Sequence, residues 1–263
     1  MKIIVCIKQV PNTNKVKIDP VTNTLIREGV ESIINPDDKA GLEAALKLKD
    51  KHGAYITCLS MGPPQADLAL REALAMGADE AVLITDRAFG GSDTLATSSI
   101  LASALKKLDF DLIITGRQAI DGDTAQVGPQ IAEHLGLVNI SYAEDIEVEG
   151  GYAFIKSAHE DRTYTVKAAL PCLVTALTGM NEPRYMTVSG IFDAYREQKV
   201  KIFTKEDLDV DDTLIGLKGS PTKVIKSFPK EAKGTGQIIN MSTEDSVKWL
   251  MEKLKEKFII GEG

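Results

Sequence analysis

Cysteine and histidine are scarce in this sequence, with three of each in 263 residues. Cys6, Cys58 and Cys172 lie far apart, each in an apolar, strand-like run. There is no Cys-x-x-Cys pair, so neither a thioredoxin-type redox site nor an iron–sulfur cluster is expected. Buried free thiols in a reducing cytosol are the expectation. His52, His134 and His159 lack metal-ligand spacing, and the first two end helical patterns, where a cation suits the dipole. Basic charge is also short: the net charge of −7 argues against nucleic acid or an anionic membrane as a main partner. No apolar run approaches the roughly 18 residues that span a bilayer. Met1–Ile7 is too short for a signal peptide and lacks a small-residue cleavage site, so a buried first strand is expected. After that strand stands Lys8-Gln-Val-Pro-Asn12, where a dinucleotide fingerprint would need Gly-x-Gly-x-x-Gly, and no Walker-type loop occurs either.

What is present is an alternation of strand and helix signals, with an apolar fraction of 43% that suits a packed core. Lys2–Val10 reads as a continuous strand. Val16–Asp19 and Thr24–Arg27 flank Pro20-Val-Thr-Asn23 as a small hairpin. Asn35 is placed to cap a first helix, with Pro36 at its first position, Asp37 and Asp38 in its first turn, and Gly53 as its stop. Strands follow at Tyr55–Ser60, Ala81–Thr85 and Leu112–Thr115, with helices at Pro63–Met76, Thr94–Leu108 and Gln130–Leu135. Such a series implies an α/β fold with a doubly wound, mostly parallel sheet. Tyr142–Val148, Tyr152–Ala158 and Thr163–Ala169 have no long helices between them and read as antiparallel additions, and Pro171–Leu177 returns as a buried strand. These elements assign 1–190 to the main domain. The remainder, 191–263, reads as an extended arm that packs on another surface, or else as a tail folded back on its own domain. Lys218–Lys223 and Phe228–Gly236 are too polar for a core of their own. The arm ends in an amphipathic helix with Ser242 as cap and Val247, Leu250, Met251, Leu254 and Phe258 in one stripe.

The loop after the fourth strand, Thr115-Gly-Arg-Gln-Ala-Ile-Asp-Gly-Asp-Thr-Ala-Gln-Val-Gly-Pro129, is the most informative segment. Ligands of open α/β sheets bind outside the carboxyl ends of strands. Three glycines allow close backbone approach, and one cation, two carboxylates and several hydrogen-bonding groups suit the sugar and phosphates of a nucleotide. A second loop, Phe89-Gly-Gly-Ser-Asp-Thr94, opens a helix whose free N–H groups would suit a pyrophosphate. Its candidates are Ser92, Asp93 and Thr94, with Thr97 in the first helical turn; Asp93 could instead serve as a simple N-cap.

The loop Gly116–Gln126 resembles the nucleotide loop of the β subunit of electron-transfer flavoproteins. So do Lys8-Gln-Val-Pro11, Ser32-Ile-Ile-Asn-Pro36, Ala73-Leu-Ala-Met-Gly-Ala-Asp-Glu80, Pro171-Cys-Leu-Val-Thr175 and Asn181-Glu-Pro-Arg-Tyr185, in the same order and over nearly the whole chain. The resemblance implies a Rossmann-like domain that binds an adenine nucleotide, AMP in the common form, and a C-terminal arm on an α subunit. It places Cys6 beside the base, Asn35 and Asp38 at the first helix start and Met61 at the end of the second strand. Around ribose and phosphate it places Gly116, Arg117, Gln118, Ala119, Ile120, Asp121, Gly122, Asp123, Thr124, Ala125, Gln126 and Val127. Ile191, Phe192 and Tyr195 fall near the family's partner-recognition segment and would serve as dehydrogenase anchors or pack on the α subunit.

The loop departs from the common form, which resembles Asp-Asp-Asp-Cys-Asn-Gln-Thr where this chain has Asp121-Gly-Asp-Thr-Ala-Gln-Val127. Gly122 removes a negative side chain, and Ala125 and Val127 remove groups that help hold an AMP phosphate. The variant resembles the electron-bifurcating members. These carry FAD in place of AMP, oxidise NADH, and send electrons to ferredoxin or flavodoxin and, through a second flavin in the α subunit, to an acyl-CoA dehydrogenase. The chemistry would be the flavin's, so no acid–base residue is assigned. Two other readings stay open: a non-bifurcating β subunit with structural AMP, and a stand-alone ATP-binding stress or signalling domain on the same sheet.

Overall fold

The computed structural model describes residues 1–12, 17–18, 25–26, 31–197, 200–222, 225, 234, 236–259 and 261. The chain divides into two compact units, Met1–Lys226 and Ser227–Gly263.

In the first unit the strands are β1 (Lys2–Cys6), β2 (Gln9–Pro11), β3 (Lys17–Ile18), β4 (Leu25–Ile26), β5 (Ser32–Ile34), β6 (Tyr55–Met61), β7 (Glu80–Ile84), β8 (Leu112–Gly116), β9 (Val138–Glu149), β10 (Tyr152–Ala158), β11 (Thr163–Ala169), β12 (Cys172–Ala176) and β13 (Val200–Phe203). The helices are α1 (Pro36–His52), α2 (Asp67–Met76), α3 (Thr94–Leu105), α4 (Val127–Leu135), α5 (Val188–Arg196) and the single turn α6 (Gly216–Gly219). Nine strands form one sheet in the order β11-β10-β9-β12-β8-β1-β6-β7-β13, and β2–β5 and β3–β4 form two small antiparallel pairs. From β9 to β13 along that order all neighbours are parallel; β10 and β11 add on antiparallel.

The apolar alternation of β1 explains the two-sided core. Ile3 and Val5 face a layer that includes Leu42 and Leu46 of α1 and Leu70 and Leu74 of α2. Ile4 and Cys6 face the opposite layer, with Ile100 and Leu105 of α3 and Ile131 of α4. This is the doubly wound α/β sheet that the alternation of signals predicts. α1 begins with Pro36 and ends at Gly53 in the left-handed conformation (φ 66°), whose N–H returns to the Lys49 carbonyl. All three cysteines are free and buried.

Two expectations change, and a third falls partly outside the described residues. The run Lys2–Val10 is two strands rather than one, because the Lys8 N–H leaves the sheet to meet the Asp38 carboxylate. The pair β3–β4 lies within the expected hairpin, while its turn, Pro20–Asn23, lies outside the described residues. The boundary drawn at 190 falls inside α5, and the chain beyond it supplies β13, which pairs in parallel with β7 as an edge strand. The first unit therefore continues past 190, and Ser220 is buried within it by hydrogen bonds that a polar pattern does not reveal.

The second unit contains α7 (Thr243–Glu256), capped by the Ser242 hydroxyl, which accepts from the Asp245 N–H. Most of Phe228–Gly236 lies outside the described residues.

The order of the main sheet positions the site. The chain runs from β1 outward to β6 and β7, then crosses back to β8 on the other side of β1. The crevice between the carboxyl ends of β1 and β8 is thus a topological switch point.

Candidate functional site

β1 and β8 end side by side, with Cys6 opposite Thr115. The segments leaving both strands meet the start of α1. Asn35 occupies the N-cap position there, but its side chain makes no cap hydrogen bond. The expected cap is corrected by burial: the fully buried amide is taken up by another partner, the loop after β8. Its Nδ2 donates to the Gln118 carbonyl at 2.8 Å, and its Oδ1 accepts from the Ile120 N–H at 3.0 Å.

Asp38 joins the two strand ends. Its Oδ2 accepts the Lys8 N–H at 2.7 Å and its Oδ1 accepts the Gly116 N–H at 3.0 Å. Position 116 requires glycine, because a Cβ there would overlap Asp38 Oδ1 and come within 2.8 Å of the Asp37 Cβ. Burial pushes the Asp38 carboxyl up to about 7; hydrogen bonds from Asn35, Lys8 and Gly116 oppose the rise, and the Asp37 charge adds to it. Burial, then the nearby Asp38, also pushes the Cys6 thiol up to about 12, so it stands as a neutral apolar wall. Met61, half-buried, ends β6 two positions beyond the Leu59 that pairs with Cys6.

The loop makes a tight turn in which the N–H groups of Gly122 and Asp123 both donate to the Ala119 carbonyl, at 3.2 and 2.9 Å. Gln118 Nε2 reaches across to Asp123 Oδ1. Asp123 (φ 55°) and Ala125 (φ 52°) are left-handed, a backbone that costs energy without glycine and that redirects successive N–H groups. From Thr124 through Val127 those N–H groups have no acceptor among the described residues, and Gln126 gives α4 no side-chain cap. α4 can start so close to the sheet only because position 128 is glycine: a Cβ there would lie 2.5 Å from Thr115 Oγ1. Free N–H groups and the positive end of α4 are the features that an anion would seek in this turn.

The second loop meets the first through a hydrogen bond, the Thr94 hydroxyl donating to Gln126 Oε1 at 2.8 Å. Ser92 and Asp93 are placed differently. The Ser92 hydroxyl donates to the Phe89 carbonyl and accepts from the Gly216 N–H. Asp93 caps α3 through the Ala96 N–H and also accepts from the Thr222 N–H at 2.9 Å. Burial acts to raise its carboxyl, but these N–H groups outweigh it and hold the group below its ordinary range. Thr97 sits in the first turn of α3, its N–H on the Asp93 carbonyl.

The "Electron transfer flavoprotein domain" matches residues 22–208. The chain belongs to the electron transfer flavoprotein family. It is 58% identical to an electron transfer flavoprotein subunit beta of Clostridium acetobutylicum over 260 residues, covering 99% of this chain and 100% of that one. It is 53% identical to the caffeyl-CoA reductase-Etf complex subunit CarD of Acetobacterium woodii over 263 residues, with 99% and 100% covered. To the acryloyl-CoA reductase electron transfer subunit gamma of Anaerotignum propionicum it is 45% identical over 268 residues, again with 99% and 100% covered.

In this member of the electron transfer flavoprotein family the donor set fits an adenine nucleotide bearing phosphate. The unmatched N–H groups of 124–127 offer anion contacts, and around Gly122 a Cβ would meet no atom within 4 Å, which leaves room for ligand. Arg117 adds positive charge: its backbone N–H is fixed on the Ala176 carbonyl, while its Nε lies 3.5 Å from Asp37 Oδ2 without a hydrogen bond. Two residues of this family site escaped sequence reasoning. Asp37 read only as a dipole partner of α1; it also accepts the Gln118 N–H at 3.4 Å and the Thr178 N–H at 2.9 Å. Lys8 read only as part of a motif, yet its Nζ pairs with Asp121 at 2.6 Å. Ile191, Phe192 and Tyr195 are exposed on α5, which packs on α2. Among the described residues no cluster could hold a metal ion, and no helix is long and apolar enough to cross a membrane.

Proposed function

We propose that this chain is the β subunit of a heterodimeric, electron-bifurcating electron transfer flavoprotein, with FAD held at the crevice between β1 and β8. The observation that carries the reading is the turn at 122–127: open space at Gly122 next to a run of unmatched N–H groups at the start of α4. A dinucleotide's pyrophosphate needs both the room and the donors. Bound there, FAD would supply hydride acceptance from NADH and the division of the two electrons between ferredoxin or flavodoxin and, through a second FAD on an α subunit, an acyl-CoA dehydrogenase. The chain's own residues would position and exclude. The N–H groups of 124–127 would hold phosphate, and Arg117 would offset its charge. Cys6 and Met61 would wall the base, and Asp38 would keep the crevice at fixed width through Lys8 and Gly116. The names of the Acetobacterium woodii and Anaerotignum propionicum relatives place those proteins with CoA-substrate reductases, which favours an acyl-CoA dehydrogenase as partner here. On this reading Ile191, Phe192 and Tyr195 would be the anchors for that partner.

The second reading, structural AMP in a non-bifurcating shuttle, is favoured by the same anion-binding turn, which needs only one phosphate to be filled. The two separate by cofactor content. The chain is co-expressed with the α-type subunit of its own genome, the complex is denatured, and the released nucleotides are identified. Two FAD and no AMP per heterodimer are expected; one FAD and one AMP would overturn the bifurcating assignment.

A further inference from the structure

Asn35 has no side-chain surface left for a ligand. It is fully buried, its Oδ1 takes the Ile120 N–H, and its Nδ2 serves the Gln118 carbonyl. Both ends of the amide are thereby engaged inside the protein, with no exposed surface. The contacts on Gln118 and Ile120 flank the residue, Ala119, whose carbonyl closes the turn at Gly122 and Asp123. The geometry points to Asn35 as a positioning residue: it sets the course of the nucleotide loop through Gln118 and Ile120 and touches no ligand itself. The base contact that family resemblance implies for position 35 would then fall to its neighbours. This inference rests on the reading of 116–127 as a nucleotide loop but holds for FAD and AMP alike.

Asn35 occupies the N-cap position of α1 without capping it, which separates two roles cleanly. Serine is as good an N-cap as asparagine, so Asn35→Ser would keep or improve the start of the helix. It is too short to bridge Gln118 and Ile120 together. Asn35→Ala removes the bridge without offering a cap in its place and serves as the second variant.

The test uses the full chain in its heterodimer, stripped of β-site nucleotide. Amide hydrogen exchange is followed across Gly116–Val127, and binding is measured with two probes, AMP and purine riboside 5′-monophosphate, which lacks the exocyclic amine. In Asn35→Ser, exchange across the loop should quicken about tenfold, and both probes should weaken by the same factor of about ten, the size expected when a buried donor and acceptor lose their partner. Exchange unchanged in the loop would overturn the inference. So would a loss confined to AMP, which would show a direct contact between Asn35 and the base. A wild-type complex that binds neither probe nor FAD would sink the proposed function instead, and the exchange result would still judge Asn35.

Discussion

The Thr94 hydroxyl donates to Gln126 Oε1 at 2.8 Å, so a side-chain hydrogen bond ties the start of α3 to the loop after β8. Asp93, one residue earlier, holds the Thr222 N–H. The loop after β8 is thus connected through two adjacent residues to the segment at Thr222.

Thr94→Val should preserve the fold of α3, whose cap is Asp93, and free the Gln126 side chain. Loss of one neutral hydrogen bond is worth about 1 kcal/mol, so nucleotide at the β1–β8 crevice should dissociate roughly fivefold more readily. Retention of nucleotide through gel filtration of the heterodimer, against an unchanged urea midpoint, measures it.

Gly122→Asp should be tolerated by the backbone. Gly122 does not adopt positive φ, and an added side chain meets only open space. The new carboxylate would face the phosphates of the proposed ligand, and a like-charge contact should lower FAD affinity about tenfold or more. Flavin content per heterodimer is the measurement, with far-UV circular dichroism as the check on folding.

Asp38 makes stability depend on pH in a defined direction. Its carboxyl is raised to about 7 in the folded chain, chiefly by burial, from an ordinary value of 3.8. Between those limits the folded state binds more protons than the unfolded state, so this group's contribution falls as pH rises from about 4 to about 7 and is flat above. The slope approaches about 1.4 kcal/mol per pH unit in mid-window. Asp38→Asn should remove it. Urea midpoints at several pH values for wild type and variant should therefore differ by an amount that changes with pH through this window, and a constant difference would contradict the assignment.

Much of this architecture was legible because the signals were local. Pro36 and Gly53 bracket α1, the apolar runs mark β6, β7, β8 and β12, and the Ser242 cap marks α7. What the sequence concealed depends on partners distant along the chain. Asn35 carries a strong capping preference, and only the arrival of Gln118 and Ile120 diverts it. β13 is four residues long and two of them, Lys201 and Ile202, are exposed, so its pattern alone does not announce a strand until β7 lies beside it. The site followed the same division. The glycines and charges of 116–127 make that loop the candidate, whereas the hydrogen bonds of Asp37 emerge only once Thr178 is brought to it.

β13 also bears on the birth of the protein. Its register pairs Val200 with Ala81 and Phe203 with Ile84, residues separated by more than a hundred positions of chain. A growing polypeptide that has completed β1, β6 and β7 must wait for all of β8 to β12 before the outer edge of β7 acquires its neighbour. Through that interval β7 presents unpaired backbone, the template by which one nascent chain joins another. Late translation therefore closes the sheet, and a chain cut short before Val200 would leave the ribosome with that edge uncovered.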